Sequence, residues 1–357
     1  MNGETAMGRS SLAPTIFVVI LNWNGRDDTL ACLASVMQIT YSAFRVLVVD
    51  NGSSDDSVSA IRSRFLNVEV IETGSNLGFA GGNNVGIQRA LDLGADYVLL
   101  LNNDTEVASD LLEALLAAAQ RFPQAGAFSA KIYFHAEPDR LWYAGASWNE
   151  AAARFEQVGE GVRDDGRQAF GIAAETEYAC GCAFFVSAAR LREIGLLDAD
   201  YFLYFEETDW CFRARASGHP SIFVPDAKFW HKVSVSLGGE GSPLQMYFVT
   251  RNRLRWARRH GTKAQRHAIW RATWLGLRHR LRPTSAGSGV KAWWWAIREG
   301  FADPHSRAML LGARDYLLGR FGDCPPIVRE LAQRSRAKSL ASRQTTPAPA
   351  AGGAKQP

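Results

Sequence analysis

Two motifs in this 357-residue sequence bring carboxylates to places where they could bind a cation or take a proton. The first, Asn102-Asn103-Asp104, follows the apolar run YVLLL. A carboxylate and amides at the end of a buried strand suit a hard divalent cation that keeps waters and takes its other ligands from a diphosphate. An ion there would neutralise the charge gathering on a departing nucleoside diphosphate. The second motif, residues 202–213 (FLYFEETDWCFR), runs from aromatics into Glu206, Glu207 and Asp209. Adjacent carboxylates repel, and burial beside aromatics raises a carboxyl pKa, so one of the three suits proton abstraction near neutral pH. An acidic first helical turn paired with Arg213 is the simpler alternative. His231, after the aromatic pair Phe229-Trp230, reads equally as a satisfied structural residue and as a metal or diphosphate contact.

Other polar residues sit at comparable places. Asn22 and Asn24 follow one apolar run, and Asp50 closes another, where its carboxylate could accept from a nucleobase N–H or a ribose hydroxyl. Ser54 and Asp55 also suit the cap of the next helix. Residues 76–86, NLGFAGGNNVG, carry four glycines, which permit close approach of a ligand to backbone at a helix start. The segment is not GxGxxG, and no phosphate-loop lysine motif accompanies it.

Apolar runs at 16–21, 46–49, 68–71 and 97–101 alternate with helical spacing at 27–37, 55–65 and 83–93. That alternation predicts right-handed crossovers and a mostly parallel sheet, with ligands beyond the carboxyl ends of the strands. Residues 134–175 lack periodicity and read as a variable loop over a site. Residues 178–186, YACGCAFFV, read as one strand with Cys180 and Cys182 on one face in a structural role. The five cysteines lack paired spacing, which points away from a disulfide framework or a thiolate zinc site.

The net charge of +4 hides an asymmetry: residues 251–357 hold 22 Lys/Arg against 5 Asp/Glu, and six of the eleven tryptophans. Residues 251–282 interleave arginines with Trp256, Trp270 and Trp274, and Trp293-Trp294-Trp295 follows. Basic heads with Trp anchors suit an interfacial helix on an anionic membrane. Nucleic-acid binding is the rival, without a recognition motif to support it. Pairing of these cations with the acidic first part of the chain is a third possibility. No apolar run reaches the length of a membrane span, so a cytoplasmic chain, peripheral at the inner face of the membrane, is expected. The stretch 344–357, rich in Pro, Ala and Gly, is expected to be disordered.

Taken in order, VVILNWNG, VVDNGSSDDS, NLGFAGGNNVGI, LLLNNDTEV, CGCAFFVSA, FLYFEETDWCFRARASGH and YFVTRNRLRW resemble the family 2 glycosyltransferases over about residues 15–260, particularly the bacterial rhamnosyltransferase-like branch. The resemblance implies an α/β GT-A fold over residues 15–250. A flexible N-terminus (1–14) would precede it, a basic Trp-rich helical extension (251–325) would follow, and a basic, partly disordered tail (326–357) would end the chain. It implies that Asn22, Asn24, Asp50, Asn76, Gly78, Asn83, Asn102, Asn103 and Asp104 meet the nucleotide sugar, and that Asp104 and His231 serve the metal. The place of the DxD motif begins here with Asn102, and the second member of the ED pair is Glu207, each a departure from the family pattern. Glu207 is the implied base with Asp209 as alternative; Glu206, Arg251 and Asn252 are assigned to acceptor or diphosphate. The implied reaction is an inverting, metal-dependent transfer, of L-rhamnose from dTDP-L-rhamnose in the first instance, to a glycan or polyprenyl-linked acceptor. A UDP-hexose or UDP-galactofuranose donor, and a catalytically silent nucleotide-sugar-binding scaffold, remain as alternatives.

Overall fold

The structure, a computed structural model, describes residues 13–166, 170–233, 241–280, 298 and 302–345. The expectations for residues 1–12, Arg282, Trp293-Trp294-Trp295 and residues 346–357 lie outside the described residues. The chain divides into two compact units. One comprises Met1–Ser234, Trp256–Ile269 and Phe321–Asp323; the other comprises Val235–Arg255, Trp270–Arg320 and Cys324–Pro357.

The first unit opens with β1 (Ile16–Asn22), α1 (Arg26–Val36), β2 (Phe44–Asp50), α2 (Ser57–Arg64), β3 (Glu69–Glu72), α3 (Gly78–Asp92) and β4 (Tyr97–Asn102). β1, β2, β3 and β4 lie parallel in the order β4-β1-β2-β3. Successive side chains of a strand point to opposite faces, and both faces here are covered. Ile16, Val18 and Ile20 enter one core with Cys32 and Leu33, while Phe17 and Val19 enter another with Ala80 and Ile87. Polar residues are thereby left to the strand ends. The register places Asn22 beside Asp50 and Leu21 beside Asn102, so three polar clusters meet at one sheet edge. β2 and β3 are added on one side of β1 and β4 on the other, which makes this edge a switch point of the sheet.

The sheet continues through β5 (Thr105–Val107), α4 (Leu111–Arg121), β6 (Ala127–Phe134), β7 (Glu137–Tyr143), β8 (Ala146–Asn149), β9 (Arg154–Gln157), β10 (Ala174–Thr176), β11 (Ala183–Ser187), α5 (Ala188–Ile194), α6 (Glu206–Ala216) and β12 (Ser221–His231). β11 runs antiparallel between β4 and β6, and β12 pairs with β6, β5 and β10. Residues 134–175, expected as a loop, instead hold β7, the β8–β9 hairpin and the start of β10. Their strands are too short and too polar for alternation to show. The run expected as one strand over 178–186 is a strand only from Ala183; Cys180-Gly181-Cys182 is the turn before it.

The glycine-rich segment is also corrected. α3 begins at Gly78, five residues before the expected start, and its Gly82 and Gly86 face the protein's own sheet. A Cβ on Gly82 would strike the Leu21 side chain, and one on Gly86 would strike Val19. Close packing on β1 therefore overrides the low helix propensity of glycine.

The basic stretch is helical: α7 (Pro243–His260), α8 (Lys263–Arg280), α9 (Pro304–Leu317) and α10 (Pro326–Thr345). Trp256, expected as an interfacial anchor, is fully buried in the first unit. It stacks on Trp148 at 5.9 Å and meets Phe155 and Phe212 edge-on at 4.9 Å.

Candidate active site

The polar edge is first a self-bonded scaffold. Asn22 donates to Asp50 Oδ1 at 2.8 Å and accepts from Thr29 Oγ1 at 2.8 Å, while Asp50 Oδ2 accepts from the Ser53 amide at 3.0 Å. Asn24, in the left-handed region at φ 50°, accepts from the Ser54 amide at 2.7 Å. Ser54 is thus tied to Asn24, and Asp55 alone reaches the first turn of α2, accepting from Ser57 Oγ at 2.6 Å. Asn51 donates to Asn76 and to the Gly78 carbonyl, and Asn76 accepts from the Gly78 amide at 2.8 Å. Asn83 donates to the Phe79 carbonyl at 2.9 Å. These side-chain amides are thereby fixed by bonds to one another and to backbone, and the Asp50 carboxylate among them is 3% exposed.

Across the switch point, Asn103 donates to Thr29 Oγ1 at 2.9 Å and Asn102 donates to the Cys182 sulfur at 3.4 Å. Asp104 follows, and its Oδ1 lies 3.2 Å from His231 Nε2. His231 is the last residue of β12, and pairing of His231 with Thr105 brings it beside Asp104. Trp142 packs edge-on against the imidazole at 4.7 Å. No cluster of three or more His, Cys, Asp or Glu suited to a metal occurs among the described residues. A buried carboxylate–imidazole pair still fits a cation whose remaining ligands are phosphate oxygens and water.

The acidic motif, Glu206, Glu207 and Asp209, stands at the start of α6. Phe202, Tyr204 and Phe205 all have positive φ, 63°, 66° and 76°, a conformation that costs non-glycine residues about 1–3 kcal/mol each and concentrates at functional sites. Glu206, 3% exposed, has an Oε2 with no hydrogen-bond partner in the structure. Burial, then the neighbouring Glu207, push its carboxyl well above the usual range, so it stays protonated. Burial lifts Glu207 to about 7. Burial and mutual repulsion thus both work against two negative charges on this pair.

Asp209, the alternative base, is engaged on every side. It is fully buried and accepts from His260 at 2.7 Å, Arg213 at 2.9 Å, Arg259 at 3.1 Å and Tyr201 at 3.3 Å. Burial opposes its ionisation, but the His260 hydrogen bond and the arginines outweigh that and hold it below the ordinary carboxylate range. Arg213 thus pairs with Asp209, as the simpler reading of the acidic turn had it, and leaves Glu206 and Glu207 apart from that network.

Cys182 connects the two motifs, a role its spacing in the sequence does not signal. Its sulfur lies 4.0 Å from both ring nitrogens of His231. Cys180 and burial chiefly keep its thiol protonated, with the charges of Asp104 and Glu207 adding to the effect. A Cβ on the adjacent Gly181 would lie 3.5 Å from the Phe79 ring and 3.6 Å from the Glu207 carboxyl carbon. The Asp104–His231 pair and the raised carboxyl thus flank one turn, at the end of β4 and beside the start of α3. Arg251 and Asn252 belong to the second unit. There the buried Arg251 donates to Asn252 at 2.9 Å and lies over the Tyr247 and Phe248 rings, and Tyr247 donates to Asp315 at 2.8 Å.

Comparison with known proteins gives the arrangement its context. Residues 17–170 match Glycosyl transferase family 2. An N-acetylglucosaminyl-diphospho-decaprenol L-rhamnosyltransferase of Mycobacterium tuberculosis is 29% identical over 58% of this chain and 72% of its own length. The dTDP-rhamnosyl transferase RfbF of Shigella flexneri is 22% identical over 66% and 78%. The galactofuranosyltransferase GlfT1 of M. tuberculosis is 26% identical over 62% and 71%. Among solved structures, GalNAc-T7 with UDP, GalNAc and Mn2+ superposes with a TM-score of 0.58 at 16% identity, over 85% of this chain and 57% of that one. The mannosyltransferase PcManGT from Pyrobaculum calidifontis with GDP-Man and Mn2+ gives 0.55 at 16%, over 87% and 89%. The fold they share is the GT-A fold.

Proposed function

We propose that this chain, a glycosyltransferase with a family 2 domain over residues 17–170, moves L-rhamnose from dTDP-L-rhamnose to a glycan or polyprenyl-linked glycan with inversion of configuration. The observation that carries the reading is the placement of Glu207, a carboxyl lifted to about 7, against the Cys180–Cys182 turn, where Cys182 Sγ lies 4.0 Å from the ring nitrogens of His231, the partner of Asp104. Two of the relatives are rhamnosyltransferases by name, and one of those names includes a decaprenyl diphosphate acceptor. Cell-surface polysaccharide or cell-wall assembly, at the inner face of the cytoplasmic membrane, is the setting this suggests.

Asp50 and the amides around it would receive the nucleoside, with Asn22 and Ser53 holding the Asp50 carboxylate in place. Asp104 and His231 would hold Mg2+ or Mn2+, which when bound offsets the charge of the diphosphate. Glu207 takes the proton of the acceptor hydroxyl as that oxygen bonds to the anomeric carbon; the bond from that carbon to the diphosphate breaks, and the electron pair leaves with the nucleoside diphosphate. Glu206, kept neutral by burial, adds no second charge beside the base.

The galactofuranosyltransferase relative supports a second reading, with a UDP-galactofuranose donor. A thermal-shift screen of dTDP-rhamnose, UDP-galactofuranose and UDP-hexoses with Mn2+ separates the two. A ligand at a hundredfold excess over its Kd stabilises by about 2.7 kcal/mol. Transfer to a polyprenyl-diphosphate N-acetylglucosamine acceptor, with the product anomer assigned by NMR, completes the test. Stabilisation by UDP-galactofuranose alone would move the donor to the second reading, and donor binding without turnover on any acceptor would leave a silent scaffold.

A further inference from the structure

The second unit presents an apolar face that its own helices leave uncovered. α8 and α9 pack side by side: Trp270 meets the Tyr316 ring at 5.7 Å, and a Cβ on Gly276 would come within 3.2 Å of Met309 Cε. Thr273 and Leu277 point inward, whereas Trp274 is 66% exposed and Trp270 38% exposed. Residues four apart share a helix face, so the two indoles stand one turn apart on the outer surface. At the end of α9, beside Tyr316, Leu317 and Leu318 are 69% and 57% exposed. Trp274, Leu317 and Leu318 are thus large apolar side chains exposed on two helices that meet at Trp270 and Tyr316.

Charge selects the occupant. Between Trp270 and Arg280 the helix holds three arginines and no acidic residue. Arg271 and Arg278 are exposed within the same outward arc as the tryptophans. Arg280 and Arg314 reach Asp303 and Asp315, but Arg271 and Arg278 make no ion pair among the described residues. Indoles flanked by unpaired guanidinium groups, with leucines beside them, match a layer whose headgroups are anionic and whose interior is apolar. A second copy of the same face would set these arginines against one another.

We propose that this face of α8 and the end of α9 seats the protein on an anionic lipid bilayer, with Trp270, Trp274, Leu317 and Leu318 entering the headgroup boundary and Arg271 and Arg278 meeting lipid phosphates. The assignment rests on the proposed transfer to a lipid-linked acceptor only for its setting. The test uses the full chain and vesicles of phosphatidylcholine, alone or mixed with phosphatidylglycerol, in a sedimentation assay at physiological salt. The protein sediments with the mixed vesicles and stays in solution with phosphatidylcholine alone. The paired variant Arg271→Gln/Arg278→Gln weakens that binding about thirtyfold, and Trp274→Ser weakens it about tenfold or more. All of these positions are exposed, so thermal unfolding of the variants should match the parent. Equal sedimentation with both vesicle types, none with either, or variants that bind like the parent would overturn the proposal, as would a dimer in solution that Trp274→Ser splits. Transfer to a soluble acceptor is measured in parallel. A protein that transfers without sedimenting defeats this assignment alone, and one that sediments without transferring defeats only the functional reading.

Discussion

Glu207→Gln keeps the shape of the side chain and removes both its charge and its basicity. Burial raises the carboxyl from 4.5 to about 7 in the folded protein. Between those values the native state holds a proton that the unfolded chain has released, so this group's contribution to stability falls as pH climbs and levels off above about 7. A shift of that size corresponds to about 3 kcal/mol. The variant should therefore match the parent near pH 4 and exceed its stability above pH 8 by up to about 3 kcal/mol, read as a higher Tm by calorimetry. Turnover should move the other way. Loss of a general base costs about a hundredfold to ten-thousandfold, and donor binding should survive. In the parent, kcat/KM should rise tenfold per pH unit below about 7 and flatten above it; the residual rate of the variant should lack that limb. A Glu207→Gln enzyme that keeps the parent's rate and pH profile would refute the assignment of the base.

Other substitutions probe the neighbouring parts. Asp209→Asn should lower Tm while sparing most of kcat in the protein that folds, because it removes the buried carboxylate that pairs Arg213 and Arg259, a class of change worth about 3–5 kcal/mol; unchanged Tm with lost turnover would instead make Asp209 the base. Asp104→Asn should remove the Mn2+ dependence of donor-induced thermal stabilisation, and an unaltered Mn2+ response would exclude Asp104 from the metal site. Gly78→Ala should destabilise by about 1–3 kcal/mol, since φ is +75° and a Cβ would strike the Phe202 carbonyl and ring; an alanine variant with the parent's Tm would show that this contact relaxes freely.

How far the sequence could be read depended on where each residue finds its partners. β1, β2 and β4 are legible because strands covered on both faces appear as unbroken apolar runs, and the polar residues ending them mark the edge where the site forms. The acidic turn of Glu206, Glu207 and Asp209 is legible too, but the division of labour within it is not. Asp209 is neutralised by His260 and Arg259, about fifty residues further along, and no local pattern announces that contact. Cys182 and Thr29 were missed for the same reason, since each joins segments separated by seventy residues or more. The start of α3 was misplaced because glycine reads as a helix breaker until the strand beneath it is known. Trp256 and Trp274 carry the same apolar-and-basic surroundings in sequence, and only packing separates the buried indole from the exposed one.

The carbonyl of Phe202 accepts from two amides, those of Phe79 at 2.6 Å and Ala80 at 3.4 Å, at the first turn of α3. Its residue also opens the left-handed path into α6. A single peptide group thus serves as a rivet between the wall proposed for the nucleotide and the lever that bears Glu207. Whatever displaces one end, a ligand or an added methyl, therefore bears on a peptide group only five residues from Glu207, so a change on the α3 side should be felt on the α6 side as well.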